Sequence, residues 1–134
     1  MRGLHLTADL FDCACDAQLL VDPGLIGDLC RTAVAVAGLS CVAEKFHAFP
    51  SNKSQSGGVT GAILLAESHL ALHTWPESRS VALDVYVCNF TRDNAAKAER
   101  LMHDLIARFA PVRQERNRLT RGAIPGAGNA LEQR

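Results

Sequence analysis

Residues 58–88 read GVTGAILLAESHLALHTWPESRSVALDVYVC, and the fold turns on how this stretch divides. Two apolar runs, Ala62–Ala66 and Val81–Val87, have the length of buried strands. Between them stand Glu67, Ser68, His69, His73, Thr74, Trp75, Pro76 and Glu77, and Cys88 closes the second run. The polar break at 67–68 splits the first part into strands near 60–67 and 69–75. The Glu67–Ser68 bond then falls at a tight strand junction. Reactive side chains are therefore set directly beside core.

Outward from this centre, Leu4, Leu6, Ala8 and Leu10 alternate with His5, Thr7 and Asp9, which predicts a strand with one polar face. Asp22 caps a predicted helix opened by Pro23 and Gly24. Leu25, Ile26, Leu29, Val34 and Val36 supply its apolar side, and Gly38 ends it. Residues 39–46 form the next strand, 50–58 a loop and 76–80 a turn. Ala95, Ala98, Leu101, Met102, Leu105, Ile106 and Phe109 are spaced for a second helix, with Asp93 or Asn94 as cap and Pro111 as stop. Residues 112–119, with Arg113, Arg116 and Arg118, read as a charged edge strand. The tail from Gly122 is rich in Gly and Ala and is expected to be loose. This order predicts an α+β fold: a two-layer αβ sandwich with a mostly antiparallel sheet and two main helices.

The bulk numbers narrow the function classes. A chain of 134 residues is expected to form one domain, 1–134, with its own core. Fourteen basic and fourteen acidic residues balance to zero, so neither nucleic acid nor an anionic membrane surface is an expected partner. No apolar run approaches the 18 or so residues of a membrane span. Five cysteines, an odd number, and the lack of a visible signal peptide point to a reducing, cytoplasmic setting.

Each reactive residue also has an ordinary reading. Ser68 can be a hydrogen-bonded turn serine, and no G-x-S-x-G elbow surrounds it. At a strained junction, though, its hydroxyl can attack its own peptide bond. His73 can be satisfied by a backbone carbonyl. If the chain reverses between Ser68 and Leu70, it instead returns beside the junction as a proton shuttle. Cys88 can be inert packing. If its sulfur faces the junction it is a candidate general acid, since a thiol of ordinary pKa, about 8.5, keeps its proton at neutral pH. Glu77 suits an exposed turn, Asp9 a polar sheet face, Phe49 a loop anchor and Thr60 a strand start. His5, His47, His69 and His73 have irregular spacing for zinc, and no metal is expected.

The segments AESHLALHTWPE and LDVYVC resemble the prokaryotic S-adenosylmethionine decarboxylase proenzymes. The similarity runs from His5–Leu6 through Phe46-His47-x-Phe49 and Gly58-Val59-Thr60-Gly61 to Gln114-Glu115-Arg116. It implies self-cleavage between Glu67 and Ser68: Ser68 Oγ attacks the Glu67 carbonyl carbon, an N-to-O acyl shift gives an ester, and elimination cuts the chain. Residue 68 becomes a covalent pyruvoyl cofactor at the head of an α chain, and residues 1–67 form the β chain. In the family pattern, Glu67, Ser68, His73 and Thr60 belong to processing, and Cys88 reprotonates the substrate α-carbon. Phe49 would lie against adenine, Glu77 would hold the ribose hydroxyls, and Asp9 would face the sulfonium.

The resemblance further implies a homodimer of processed αβ units, with the site at the joint of two protomers and a small amino-acid or sulfonium substrate. The expected reaction is decarboxylation of S-adenosylmethionine for spermidine synthesis. Alternatives are a pyruvoyl-dependent arginine or ornithine decarboxylase and an unprocessed dimeric binding or regulatory protein. This chain departs from the family at Thr60, usually serine; at Asp9, more often glutamate; at Ser78, often tyrosine; and at Val87-Cys88-Asn89, commonly Thr-Cys-Gly. Arg79, after Ser78, suggests a charge partner for a smaller amino-acid substrate.

Overall fold

The computed structural model describes residues 2–89 and 92–122. Its elements are β1 (Gly3–Cys13), α1 (Pro23–Val36), β2 (Cys41–Ala48), β3 (Val59–Leu65), β4 (Ser68–Trp75), β5 (Ser80–Cys88), α2 (Ala95–Phe109) and β6 (Pro111–Arg121), with short 3-10 turns at Ala17–Leu20 and Pro76–Ser78. The six strands form one sheet in the order β2-β3-β4-β5-β1-β6, and every neighbouring pair is antiparallel. The αβ sandwich read from the sequence is thus the observed architecture. The loose tail predicted from Gly122 onward lies, apart from Gly122 itself, outside the described residues.

Strand alternation produces the two layers. Leu4, Leu6, Ala8 and Leu10 of β1 are buried, as are Ile63 and Leu65 of β3, Leu70 and Leu72 of β4, and Val81, Leu83, Val85 and Val87 of β5. All of these point to the side covered by the helices. There they meet Ile26, Leu29, Cys30 and Val34 of α1 and Leu101, Met102, Leu105 and Phe109 of α2. Full burial of one such aliphatic side chain stabilises by about 1.5–3 kcal/mol. The intervening residues His5, Thr7, Asp9, His69, Ala71, His73, Ala82, Asp84 and Tyr86 face the opposite, uncovered side.

Local chemistry sets the ends of the elements. The Asp22 carboxylate accepts the N–H groups of Gly24 and Leu25 at 2.8 and 3.3 Å, capping α1. Gly38 takes φ 83° just beyond that helix, a left-handed conformation natural to glycine. At the start of β3, Thr74 Oγ1 accepts the Val59 N–H at 2.9 Å and donates to the Leu20 carbonyl at 2.7 Å. This otherwise buried hydroxyl locks β3 and β4 in register and ties them to the turn before α1. Gly58 is required here, since a Cβ would overlap the Thr74 carbonyl.

Candidate active site

The junction singled out in the sequence is a hairpin. Leu65 pairs with Ser68, so only Ala66 and Glu67 turn the chain between β3 and β4. Glu67 has φ 56°, which costs a non-glycine residue on the order of 1–2 kcal/mol. Strain therefore sits on the residue whose carbonyl carbon forms the bond to Ser68. The Ser68 hydroxyl accepts the backbone N–H of Cys88 at 3.2 Å. Glu67, Ser68 and Cys88 share the wall of a cavity of about 270 Å³ with Arg92, Asn94 and Lys97.

His73 does not return to this junction. β4 runs unbroken from Ser68 to Trp75, so His73 lies five residues further along the same strand. At about 3.3 Å per residue that is roughly 16 Å, and an odd separation turns the two side chains to opposite faces. The expected reversal between Ser68 and Leu70 is absent because the turn is complete at Glu67.

His73 belongs instead to a second group at the other end of the sheet. Its Nδ1 and Thr60 Oγ1 share a hydrogen bond of 3.2 Å. The threonine in place of serine thus keeps a hydroxyl on the imidazole. The register continues this row across the uncovered face, from His47 through Thr60, His73 and Ala82 to Asp9. Phe49 packs edge-on against His47, with ring centroids 4.9 Å apart, and remains half exposed. Glu77 follows β4 in the 3-10 turn and lines a cleft of about 420 Å³. Thr60, His73, Asp9, Phe49 and Glu77 therefore gather at one end, and Glu67, Ser68 and Cys88 at the other.

The four histidines separate in the same way. His47 and His73 lie on the first row, flanking Thr60. His5 and His69 flank Tyr86 on another row and meet the same Asp84 oxygen, at 2.7 and 3.2 Å from their Nε2 atoms. Asp84 had no signal beyond its outward place on an alternating strand.

Two further residues have roles that the sequence hid. The Arg79 guanidinium donates to the Cys13 carbonyl at 2.6 Å and to the Cys15 carbonyl. It fastens the end of β1 to the turn before β5, and the same arginine lines the cleft that contains Glu77. Asn94, read as a possible helix cap, makes no side-chain capping bond. It donates instead to the Cys88 carbonyl at 2.9 Å. Burial pushes the Cys13 thiol up to about 11 and the Cys30 thiol up to about 12, which keeps both protonated at neutral pH.

Comparisons with known proteins point to one family. A family model described as S-adenosylmethionine decarboxylase matches residues 4–122. The chain is 35% identical over 130 residues to an S-adenosylmethionine decarboxylase proenzyme of Aquifex aeolicus, covering 97% of this chain and 88% of that one. It is 36% identical over 123 residues to the proenzyme of Persephonella marina, covering 92% and 84%. The crystal structure of the adenosylmethionine decarboxylase from Aquifex aeolicus superposes with a TM-score of 0.78 at 31% identity, over 95% of this chain and 96% of that one.

Proposed function

The chain belongs to the S-adenosylmethionine decarboxylase family, and on that basis we infer that it is a self-processing, pyruvoyl-dependent lyase that decarboxylates S-adenosylmethionine for spermidine synthesis. The observation that carries this reading is the Glu67–Ser68 junction. A left-handed residue precedes a serine whose oxygen is held by the Cys88 N–H.

Ser68 fits the source of the cofactor. Its hydroxyl lies one residue from a strained carbonyl and opens on a cavity that also takes in Cys88. In the first step Ser68 Oγ bonds to the Glu67 carbonyl carbon, the carbon–nitrogen bond breaks, and the hydroxyl proton ends on the freed nitrogen. Relief of the φ 56° conformation favours that step. The Cys88 N–H steadies the oxygen as it loses its proton. Elimination then releases the Glu67 carboxylate and divides the domain, 1–134, into a β chain of residues 1–67 and an α chain from residue 68. The dehydroalanine left at position 68 takes up water and loses ammonia to become the pyruvoyl group, which would supply an electron sink for the departure of a substrate carboxylate. Cys88, in the same cavity, supplies the proton that replaces the carboxylate.

A second copy can bring the two ends of the sheet together. His73 and Thr60 cannot reach Ser68 along one strand, but a two-fold pair can lay the His73 end of one copy against the Ser68 end of the other. We therefore assign each site Ser68 and Cys88 from one protomer and Thr60, His73, Asp9, Phe49 and Glu77 from its partner, in a homodimer of processed αβ units. Phe49, half exposed, offers a face for adenine, Glu77 a carboxylate for the ribose hydroxyls and Asp9 a negative charge for the sulfonium.

The five cysteines are all free, consistent with a cytoplasmic setting. Among the described residues no helix is long and apolar enough to cross a membrane. The test of substrate is carbon-dioxide release from S-adenosylmethionine, arginine and ornithine by the processed protein. Release from S-adenosylmethionine alone is expected; release from arginine or ornithine in its place would overturn the substrate assignment.

A further inference from the structure

A bracket of hydrogen bonds surrounds Cys88 that the reaction described above does not use. The peptide after Cys88 is held on both sides. Its carbonyl accepts from Asn94 Nδ2 at 2.9 Å, and the N–H of Asn89 donates to the Arg2 carbonyl at 2.7 Å. Asn89 Oδ1 accepts the Asn94 N–H at 2.8 Å, closing the bracket. Cys88 is the last residue of β5, where an unassisted strand end frays.

Asn94 stands at the N-terminal boundary of α2, where an asparagine side chain commonly bonds the free N–H groups of the first turn. Here it does not. Asp93 Oδ1 accepts the Ala95 N–H at 2.8 Å, and the Asn94 side chain is left for Cys88. Asn94 also lines the cavity that contains Glu67, Ser68 and Cys88. A continuous chain of contacts thus runs from the head of α2, through Asn94 and Cys88, to the oxygen of Ser68.

We propose that Asn94 is a positioning residue for self-cleavage: it fixes the end of β5 so that the Cys88 N–H holds Ser68 Oγ beside the Glu67 carbonyl. This rests on the reading that Glu67–Ser68 is the bond that breaks. The step is balanced within the chain. One carbon–oxygen bond forms, one carbon–nitrogen bond breaks, and the hydroxyl proton passes to the nitrogen of residue 68. Asn94 touches none of these atoms and acts only through Cys88.

The test follows cleavage of freshly translated full-length chain by the appearance of fragments 1–67 and 68–134. Three variants are compared: Asn94→Ala; Asn94→Asp, which keeps the shape but loses the donor to Cys88; and Asp93→Ala, which loses the bond to Ala95 but leaves Cys88 bracketed. Melting temperatures of the same changes are read in the uncleavable Ser68→Ala background. Both Asn94 variants are expected to cleave about tenfold more slowly, the scale of one lost hydrogen bond. Asp93→Ala is expected to cleave at the wild-type rate, even where it melts as early as the Asn94 variants. Wild-type cleavage rates in both Asn94 variants would overturn the proposal alone. So would equal slowing in Asp93→Ala at equal loss of melting temperature, which marks general destabilisation. A wild-type chain that stays uncut would overturn the proposal together with the reading it rests on.

Discussion

The N–H of Cys88 meets the hydroxyl of Ser68 at 3.2 Å, although the two residues stand twenty positions apart in the chain. The contact is made by the backbone of one residue and the side chain of the other. Self-processing and turnover can therefore draw on different atoms of the same cysteine.

That division predicts the behaviour of Cys88→Ala. The N–H to Ser68 survives the substitution, so cleavage into two chains is expected to continue. The thiol is lost, and turnover should fall by about 10²–10⁴-fold, the range for removing a positioned proton donor. Intact mass and carbon-dioxide release on one sample read both effects. Unchanged turnover would remove the thiol from its role.

The separation of His73 from Ser68 along β4 predicts complementation between chains. His73→Ala alone and Ser68→Ala alone should each remain uncut. Co-expressed, they form mixed dimers in which one site joins an intact Ser68 to an intact His73. In those dimers the His73→Ala chain should be cut and the Ser68→Ala chain should not. Mass spectrometry of the mixture distinguishes the two chains. If His73→Ala stays whole in the mixed sample, the shared site is wrong.

Alkaline stability follows from Cys30, fully buried between α1 and the sheet. Burial raises its pKa from 9.0 to about 12, so the folded protein holds a proton that the unfolded chain releases above about 9. Its contribution is complete below pH 9 and is lost progressively as pH rises toward 12, at about 1.4 kcal/mol per pH unit. Urea unfolding of the Ser68→Ala chain from pH 8 to 11 should show this decline, to which Cys13 also adds, and Cys30→Ala should make it less steep. An identical slope in the two proteins would contradict the assignment.

Much of the fold was legible because its signals are local. Alternation marked β1, Asp22 marked the start of α1, and the Arg-rich run 112–119 marked an edge strand that the structure sets outermost, beside β1. The hairpin at Glu67–Ser68 was legible too, since a polar pair between apolar runs has few alternatives. What the sequence could not convey was which residues meet across the sheet. β1 pairs with the distant β5, so the row joining Asp9 to His73 and Thr60 depends on one long-range pairing, that of Asp9 with Ala82. The closeness of Ser68 and His73 in sequence misled for the same reason: within one strand, five residues separate side chains rather than unite them. Arg79 and Asn94 were hidden because both bond backbone carbonyls, which carry no sequence signature.

The most direct measurement is the intact mass of the freshly purified chain beside its Ser68→Ala variant. The account predicts two fragments, divided between Glu67 and Ser68, with the second beginning in a ketone, which reacts with hydrazine reagents, instead of an amine. It predicts one whole chain for Ser68→Ala. A wild-type chain that remains whole, or a Ser68→Ala chain cut at the same bond, would contradict it.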